Sequence, residues 1–418
     1  TLSSSSAASD VYKRQVGDYA VGAVGTANSY IGIFIIMFSI ISSGMVSVMT
    51  QNIGAGRPGV AYQARQLGLL FNAVAGVLMA VFLFSGAGAI LRMVGIADAL
   101  YEPALIYLKI VGGGCILNAV IPIFSSYLRA FGYTKQPLYA TIVGNIANFV
   151  MNAVFLFVLH KGVAGVAAAT VISKILNLCI VLYFSHKLIS AKNSTERIAN
   201  KTVLGQIVKV GLPSACETAL YNVAMMLVIR FLNQMDAEGL NVTARSYTAT
   251  ISNFSYCVGA ALAQANAIMT GWHIGAGELE ECDRGTKRAA FVGVCVAVCM
   301  ETAIVLGSGF IMPLFTDNPE MTALVRKLLA IDIVLEIGRV TNLVFGQALK
   351  TSGDAVFPAV IAAVFMFVFA VGGTWLFGIS MGLMAVGAYI GLASDECVRA
   401  VGMVWRWKTG KWRTKKLV

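Results

Sequence analysis

Apolar segments of helical length, separated by short polar breaks, follow one another along nearly the whole chain. An α-helix needs roughly 20 apolar residues to cross the hydrocarbon core of a bilayer. Eleven segments are of that order, and they lie near residues 16–50, 67–91, 104–127, 138–159, 163–185, 211–234, 241–271, 289–313, 323–349, 355–378 and 381–405. This pattern predicts an all-α polytopic membrane protein.

The polar breaks repeat within the chain. The segment from Asn52 to Gly56 returns as the segment from His273 to Gly277, and Ile274 lies 221 positions after Ile53. The same offset places 128–132 on 349–353 and Pro137 on Pro358. Each of these pairs separates two apolar segments, so the sequence predicts two homologous lobes in tandem, of six helices each.

The beginning of the chain departs from this repeat. The helix predicted at 211–234 has no counterpart in the first half, because subtracting 221 gives −10 to 13. Residues 1–15 are instead polar and Ser-rich. We expect them to be a foreign or non-native leader in place of the first helix, which leaves eleven of twelve spans; a divergent native N-terminus is the alternative. The predicted organisation is a leader at 1–15, an N-terminal lobe at 16–185, a cytoplasmic linker at 186–210, a C-terminal lobe at 211–405 and a basic cytoplasmic tail at 406–418.

Composition and charge agree with membrane insertion. Hydrophobic residues make up 58% of the chain and charged residues only 12%. The net charge of +11 comes mostly from Lys and Arg in alternate loops and in the tail. This is the positive-inside pattern, so we expect a cytoplasmic-membrane protein that binds no nucleic acid and, when intact, has both termini in the cytoplasm.

The sequence contains no recognisable catalytic or metal motif. The eight cysteines form no CxxC pair, and the three histidines have no metal-binding spacing. No nucleotide-binding loop or catalytic triad stands out either. We therefore expect no enzyme activity, no cofactor and no bound metal other than a coupling Na+.

Charges inside the predicted spans are the sharpest candidates for function, since each is costly in a bilayer unless paired or hydrated. Asp332, Glu336 and Arg339 are spaced at i, i+4 and i+7, which places them along one helical face. They could form a cation or proton site coupled to transport. A structural ion pair between Glu336 and Arg339 is the alternative, and both interpretations remain open.

A second polar face lies in the fourth span, where Asn145, Asn148 and Asn152 share one side. Amide oxygens could bind an ion such as Na+ or a substrate, but they could equally form interhelical hydrogen bonds. At the 221-residue offset, the acids of the ninth span correspond to uncharged residues. The two lobes are therefore expected to present different polar surfaces.

Other embedded charges are weaker candidates. Glu217 follows Pro213 by one turn, and we expect it to reach water near the cytoplasmic interface. The last span holds Asp395, Glu396 and Arg399, of which Asp395 and Arg399 suit an i, i+4 ion pair. Lys174 has no partner within its own helix.

The repeated loop motif predicts hinges, tight turns or plain helix ends, because glycine adopts backbone conformations that other residues avoid. Its representative residues are Gln51, Gly54, Gly56, Gly275 and Gly277.

Several of these motifs in order resemble multidrug and toxic compound extrusion (MATE) transporters. They are the segments 51–56, 128–132 with Pro137, the Asn-rich stretch 145–152 and 162–167, and the resemblance covers about 16–405. It implies a twelve-helix, two-lobe antiporter that exports organic cations and other amphipaths against Na+ or H+. Some members carry a coupling acid in the first helix, which this chain lacks. Glu217 and the acids of the ninth span occupy helices resembling those that hold a cation site in other members.

The leading hypothesis is therefore a secondary active exporter of small amphipathic, cationic molecules that works as a monomer among membrane lipids. One alternative is a flippase for a lipid-linked precursor, which Lys174, Arg230 and Arg339 lining one cavity would favour. A membrane scaffold or a membrane-embedded enzyme is the alternative from another class.

Overall fold

The computed structural model describes residues 18–94, 98–189, 196–236 and 239–418. The predicted leader lies outside these ranges, as do Lys192 and Glu238. Within the described residues the chain forms twelve α-helices and no β-strand. It divides into two compact units, one of residues 1–49 and 57–205 and one of residues 50–56 and 206–418.

The first unit is built from six helices. These are α1 (Asp18–Gly54, except its last turn), α2 (Pro58–Val94), α3 (Asp98–Gly113), α4 (Cys115–Ala130), α5 (Lys135–Ala153) and α6 (Gly162–Leu188). Helices α3 and α4 meet at a 40° bend, and α5 continues through a π-helical turn at Val154–Val158. The apolar core lies between α2, α3, α4 and α6, around Leu83 and Leu108.

The second unit contains α7 (Asn200–Met235, from Gln206 onward), α8 (Leu240–Ala276), α9 (Leu279–Ile311), α10 (Pro319–Ser352), α11 (Val356–Phe365) and α12 (Met384–Lys408). Helix α11 continues through π-helical segments at Met366–Val371 and Thr374–Ser380. Helix α10 is central, because it packs most extensively against α8 and α12 and also against α9.

The predicted fold class is confirmed, since all eleven predicted spans are helical within the described ranges. Six helices of the described chain are individually long and apolar enough to cross a membrane, and the bent pair α3 and α4 is a seventh candidate. Helices α7, α8, α9, α10 and α12 carry the polar and charged side chains of the second unit that are considered below. Large apolar side chains such as Leu306, Phe310 and Leu314 are almost fully exposed. In a bilayer such side chains face lipid.

Paired glycines end helices at equivalent points of the two copies. Gly56 and Gly277 have φ angles of 73° and 80°, in the left-handed region that favours glycine. The pairs Gly132 with Gly353 and Gly162 with Gly382 also have positive φ. The duplicated landmarks of the sequence are thus positions where both copies need the same backbone conformation.

The connection predicted at 186–210 is shorter than expected, because α6 extends to Leu188 and α7 begins at Asn200. Val203, Ile207 and Val210 recur at i, i+4 and i+7, and all three are buried. This amphipathic face makes the second half of the predicted linker a helix. The Gln63 side chain holds the remaining connection by donating to the Ile198 carbonyl at 2.7 Å and accepting from the Ile198 N–H at 3.2 Å.

Candidate functional site

A cavity of about 270 Å³ lies inside the second unit, between α7, α8, α10 and α12. Four residues singled out in the sequence line it: Asp332 and Arg339 of α10, and Asp395 and Glu396 of α12. The other polar lining residues are Tyr221, Arg245, Ser252, Asn253, Tyr256 and Tyr389. Arg245 is recognisable from the sequence as an embedded charge. The others were missed, because an apolar helix gives no sign of which of its residues meet those of another helix.

On α10, the three predicted residues share one buried face. Asp332 is 3% exposed and Glu336 is completely buried. Glu336 forms an ion pair with Arg339, whose Nε also lies 3.6 Å from Glu396 Oε1. The Arg339 guanidinium stands 5.7 Å from the centre of the Tyr256 ring. Arg339 therefore joins the acids of α10 to those of α12.

On α12, Arg399 binds both neighbouring acids. It donates to the two carboxylate oxygens of Asp395 at 3.1 and 2.7 Å, and its Nη2 lies 2.9 Å from Glu396 Oε1. The second oxygen of Glu396 accepts from Asn342 at 3.0 Å. The i, i+4 pair predicted for Asp395 and Arg399 is present, and it is part of a larger network that reaches α10.

Some carboxylate oxygens in this region have no hydrogen-bonding partner. They are Asp332 Oδ2, Glu336 Oε2 and both oxygens of Glu301, which lies on α9 and is completely buried. Glu301 was not among the predicted site residues. A lone acid in an apolar span was the available signal, but its proximity to α10 depends on how the helices pack.

Five carboxyl groups thus gather around three guanidinium groups, those of Arg245, Arg339 and Arg399. A buried carboxylate without a partner carries a large desolvation cost. The cluster can lower this cost by taking up a proton or a monovalent cation. In the described residues, no three His, Cys, Asp or Glu side chains are grouped to hold a metal ion. A bound Na+ would therefore need hydroxyl, amide or carbonyl oxygens among its ligands.

Glu217 does not reach water in the way expected. Its carboxylate pairs with Lys350 Nζ at 2.7 Å, and the side chain is only 21% exposed. Helix α7 runs without a break through Pro213. Because a largely buried carboxylate is stabilised by an adjacent ammonium group, the ion pair replaces hydration. Glu217 is not among the residues that line the cavity.

The Asn face of α5 belongs to the first unit. Asn152 donates to Asn148 at 3.1 Å, Asn148 donates to Ser173 of α6 at 3.4 Å, and Asn145 is exposed. Lys174, the next residue of α6, does have a partner, since its Nζ donates to Asn118 Oδ1 on α4 at 2.8 Å. This polar group contains an ammonium and no carboxylate, in contrast to the acid-rich cavity of the second unit.

The repeated loop motif forms a close helix crossing. Residues 50–56 belong to the second unit, where a Cβ atom on Gly54 would overlap the Trp272 carbonyl and one on Gly275 would overlap the Gln51 carbonyl. Gln51 Nε2 also donates to the Thr351 carbonyl at 2.6 Å. Gly54 and Gly275 permit the close approach, while Gly56 and Gly277 end their helices.

A family model and the relatives found by comparison point to the same protein family. The MatE family model matches residues 1–154 and 213–376. The uncharacterized transporter YisQ of Bacillus subtilis is 31% identical over 96% of this chain and 89% of its own length. The probable multidrug resistance protein NorM of Thermotoga maritima is 19% identical, over 96% of this chain and 87% of its own.

Solved structures agree in fold. A MATE crystal structure in the straight conformation superposes with a TM-score of 0.86 at 20% identity, covering 98% of this chain and 92% of the other. An outward-facing multidrug resistance MATE transporter of the MOP superfamily gives 0.85 at 19% identity, covering 97% and 93%. With the family match and the 31% identical relative, these findings establish that the chain belongs to the MatE family, whose members are membrane transporters and not enzymes.

Proposed function

We propose that the protein is a secondary active antiporter of the cell membrane that exports small amphipathic, cationic molecules in exchange for Na+ or H+. The observation that carries this proposal is the excess of carboxyl groups over guanidinium groups around the cavity of the second unit. Relatives named as probable multidrug resistance proteins, NorM of Thermotoga maritima and YoeA of Bacillus subtilis, support the export of drug-like compounds. We expect it to work as a monomer surrounded by lipid.

The coupling site is proposed at Glu301, Asp332 and Glu336, which have buried carboxylate oxygens without hydrogen-bonding partners. A proton or Na+ taken up there would neutralise a charge that the site itself leaves uncompensated. Such a ligand shifts a conformational equilibrium only if its affinity differs between the two states. An acid cluster shared by α9 and α10 meets this condition if movement of the helices changes the distances between its carboxylates.

The cavity walls suit an organic cation. Tyr221, Tyr256 and Tyr389 line the cavity together with the acids Asp332 and Asp395. Aromatic faces attract cations and also bury apolar groups. At about 270 Å³ the cavity is near the lower end of the range for small-molecule sites, roughly 300–1,000 Å³. A small amphipathic cation therefore fits better than a large one.

The flippase alternative is less well supported. Of the three bases that would favour it, Arg339 lines this cavity, whereas Lys174 belongs to the first unit and Arg230 is not a lining residue. The acids around the cavity outnumber the bases. A phosphate-bearing headgroup would be repelled by that excess of negative charge.

The test is uptake of a fluorescent organic cation into inside-out proteoliposomes under an imposed Na+ gradient or an imposed pH gradient. We expect accumulation under one of them. Glu301→Gln, Asp332→Asn and Glu336→Gln should each lower gradient-driven uptake about tenfold, the effect of losing roughly 1.4 kcal/mol.

Glu281→Gln is the matched control, because this acid is exposed on α9 and pairs with Arg284 at 3.0 Å on the surface. It should transport like the unmodified protein. Unchanged uptake in all three cluster variants would mean that these acids have a structural role and no part in coupling. Movement of a labelled lipid precursor without dye uptake would support the flippase.

A further inference from the structure

A second cavity, of about 250 Å³, lies within the first unit between α2, α4 and α6. Arg65 of α2 occupies it in an unusual environment, since its guanidinium carbon is 4.4 Å from the centre of the Tyr62 ring, 5.0 Å from that of Tyr127 and 5.4 Å from that of Phe124. Three aromatic rings therefore fix the position of one cation. Ring faces attract the charge but accept few of its hydrogen bonds, so the donors of the guanidinium remain available.

No hydrogen bond within the described ranges uses these donors. Arg65 Nε is buried and has no hydrogen-bonding partner, and none of the ion pairs in the described ranges includes Arg65. Leaving a buried donor unpaired costs about 1–3 kcal/mol. The aromatic rings thus fix the Arg65 guanidinium in position, and its buried Nε–H group has no acceptor.

A second unsatisfied group faces the same cavity. Ser185 of α6 is buried, and its hydroxyl has no partner. The imidazole of His186 also lines the wall, and none of the described lining residues carries a carboxylate. A guanidinium, a hydroxyl and an imidazole together suit a ligand with several anionic oxygens, and phosphate is the group that Arg binds through paired donors.

The place of the cavity indicates what the phosphate is attached to. It lies two turns from the start of α2 and at the last turn of α6, and the basic residues Arg57 and Lys187 stand at these two helix ends in the sequence. The positive-inside rule places these helix ends at the cytoplasmic face. Leu182 and Ile189 add apolar surface to the lining. Anionic phospholipid headgroups are the phosphates concentrated at that level of a membrane.

We propose that this cavity is a phosphate-binding site of the first unit that takes an anionic phospholipid headgroup from the cytoplasmic leaflet or a free phosphate ion. Arg65 is the principal ligand and Ser185 completes the site. The site is separate from the acid-rich cavity and does not depend on the antiport proposal.

The experiment is a titration of the purified protein in detergent, followed by its thermal unfolding. The three ligands are a short-chain phosphatidylglycerol, a phosphatidylcholine of the same chain length and inorganic phosphate. Phosphatidylglycerol should raise the unfolding temperature more than phosphatidylcholine does. Arg65→Gln should weaken its apparent affinity by about tenfold or more, as expected for loss of charge-assisted hydrogen bonds.

Lys187→Gln is the charge-matched control. Lys187 lies next to His186, but its ammonium group is exposed and bonds to Tyr183 at 3.0 Å. This variant should keep phosphatidylglycerol affinity within about twofold, as a peripheral charge screened by water would. If Arg65→Gln fails to fold, Arg65→Lys keeps the cation but not the forked donors and should weaken affinity, and Ser185→Ala should weaken it as well.

Comparison of the three titrated ligands identifies the source of the phosphate. Stabilisation by phosphatidylglycerol alone assigns a lipid, and equal Arg65-dependent stabilisation by inorganic phosphate assigns a free anion. The proposal is overturned if neither stabilises the protein, if phosphatidylcholine does so equally well, or if Arg65→Gln and Lys187→Gln weaken binding to the same extent.

Discussion

At the scale of single residues, the repeated glycines show how a sequence motif can act through absence of a side chain. Gly54 and Gly275 stand where helices meet in the second unit, and the atoms that a Cβ would strike are backbone atoms of Trp272 and Gln51. A flexible side chain can move aside, but a helix backbone cannot move without shifting its neighbours. The motif is therefore sensitive to the smallest substitution.

We predict that Gly275→Ala destabilises the protein by about 1–3 kcal/mol or more, as overpacking does. Thermal unfolding in detergent would measure the change. Gly285→Ala in α9 is the control, because a Cβ added at this position would meet no neighbouring atom within 4 Å. Alanine in a helix interior is favoured over glycine by roughly 0.5–1 kcal/mol, so Gly285→Ala should be neutral or stabilising. Equal changes in stability from the two substitutions would contradict the close helix crossing at Gly275.

The residues of the acidic cavity could be predicted only in part. Spacing on one helix placed Asp332, Glu336 and Arg339 on a common face, because helical periodicity is a local property. The approach of Glu301 from α9 is a property of packing, and no local pattern encodes it. The same limit left Lys174 without a partner, since Asn118 lies on a different helix.

At the scale of elements, the apolar spans were predictable because bilayer thickness sets their length. Their details depend on contacts. The span predicted at 104–127 is bent near Gly114, and the span predicted to begin at 211 starts at Asn200. A run of apolar residues gives no sign of the bend, and a short amphipathic extension beside polar residues resembles a linker.

The basic tail was predicted as a charge-bearing end, but the structure docks it on the second unit. Trp412 stacks on Trp407 with ring centres 4.2 Å apart, and its Nε1 donates to the Trp407 carbonyl at 3.1 Å. Leu417 N–H donates to Gln51 at 2.8 Å, and the Leu417 carbonyl accepts from Gln206 at 2.6 Å. The tail is held by a buried aromatic contact and by hydrogen bonds, and Arg406 adds a largely buried ion pair with Asp354 at 2.7 Å.

We predict that Trp412→Ala releases this tail, because removing a buried Trp side chain costs about 3–5 kcal/mol. Limited trypsin digestion should then cleave after Lys415 much faster. Arg413→Ala is the comparison variant, since Arg413 pairs with Glu280 at the surface and such pairs contribute about 0–1 kcal/mol. Its cleavage rate after Lys415 should stay close to that of the unmodified protein. Rapid cleavage in both variants would mean that charge holds the tail.

At the scale of the whole molecule, the duplication organises the chain while the two copies have diverged in chemistry. Paired glycines keep the same backbone role in both copies of the repeat. The polar group of the first unit contains the ammonium of Lys174, whereas the second unit gathers five acids. Sequence comparison of the halves could predict this asymmetry, because it compares residue identities at equivalent positions and needs no packing information.

The orientation in the membrane gives the last prediction. The helices α10, α11 and α12 separate Asp317 from Thr409. We predict that all three cross the bilayer, which puts the two residues on opposite sides. Asp317 lies in an acidic loop with Glu320, and Thr409 lies among Arg406, Lys408 and Lys411. Basic loops tend to stay in the cytoplasm, so we expect Asp317 outside and Thr409 inside.

We predict that, in a variant with the eight native cysteines replaced, Asp317→Cys reacts with a membrane-impermeant maleimide added to intact cells. Thr409→Cys should react only after the cells are opened. Both side chains are exposed, so a difference in labelling reports which side of the membrane each residue faces and not how deeply it is buried. The reverse pattern would overturn the orientation while leaving the span count intact. Labelling of both residues from one side would contradict the three intervening spans.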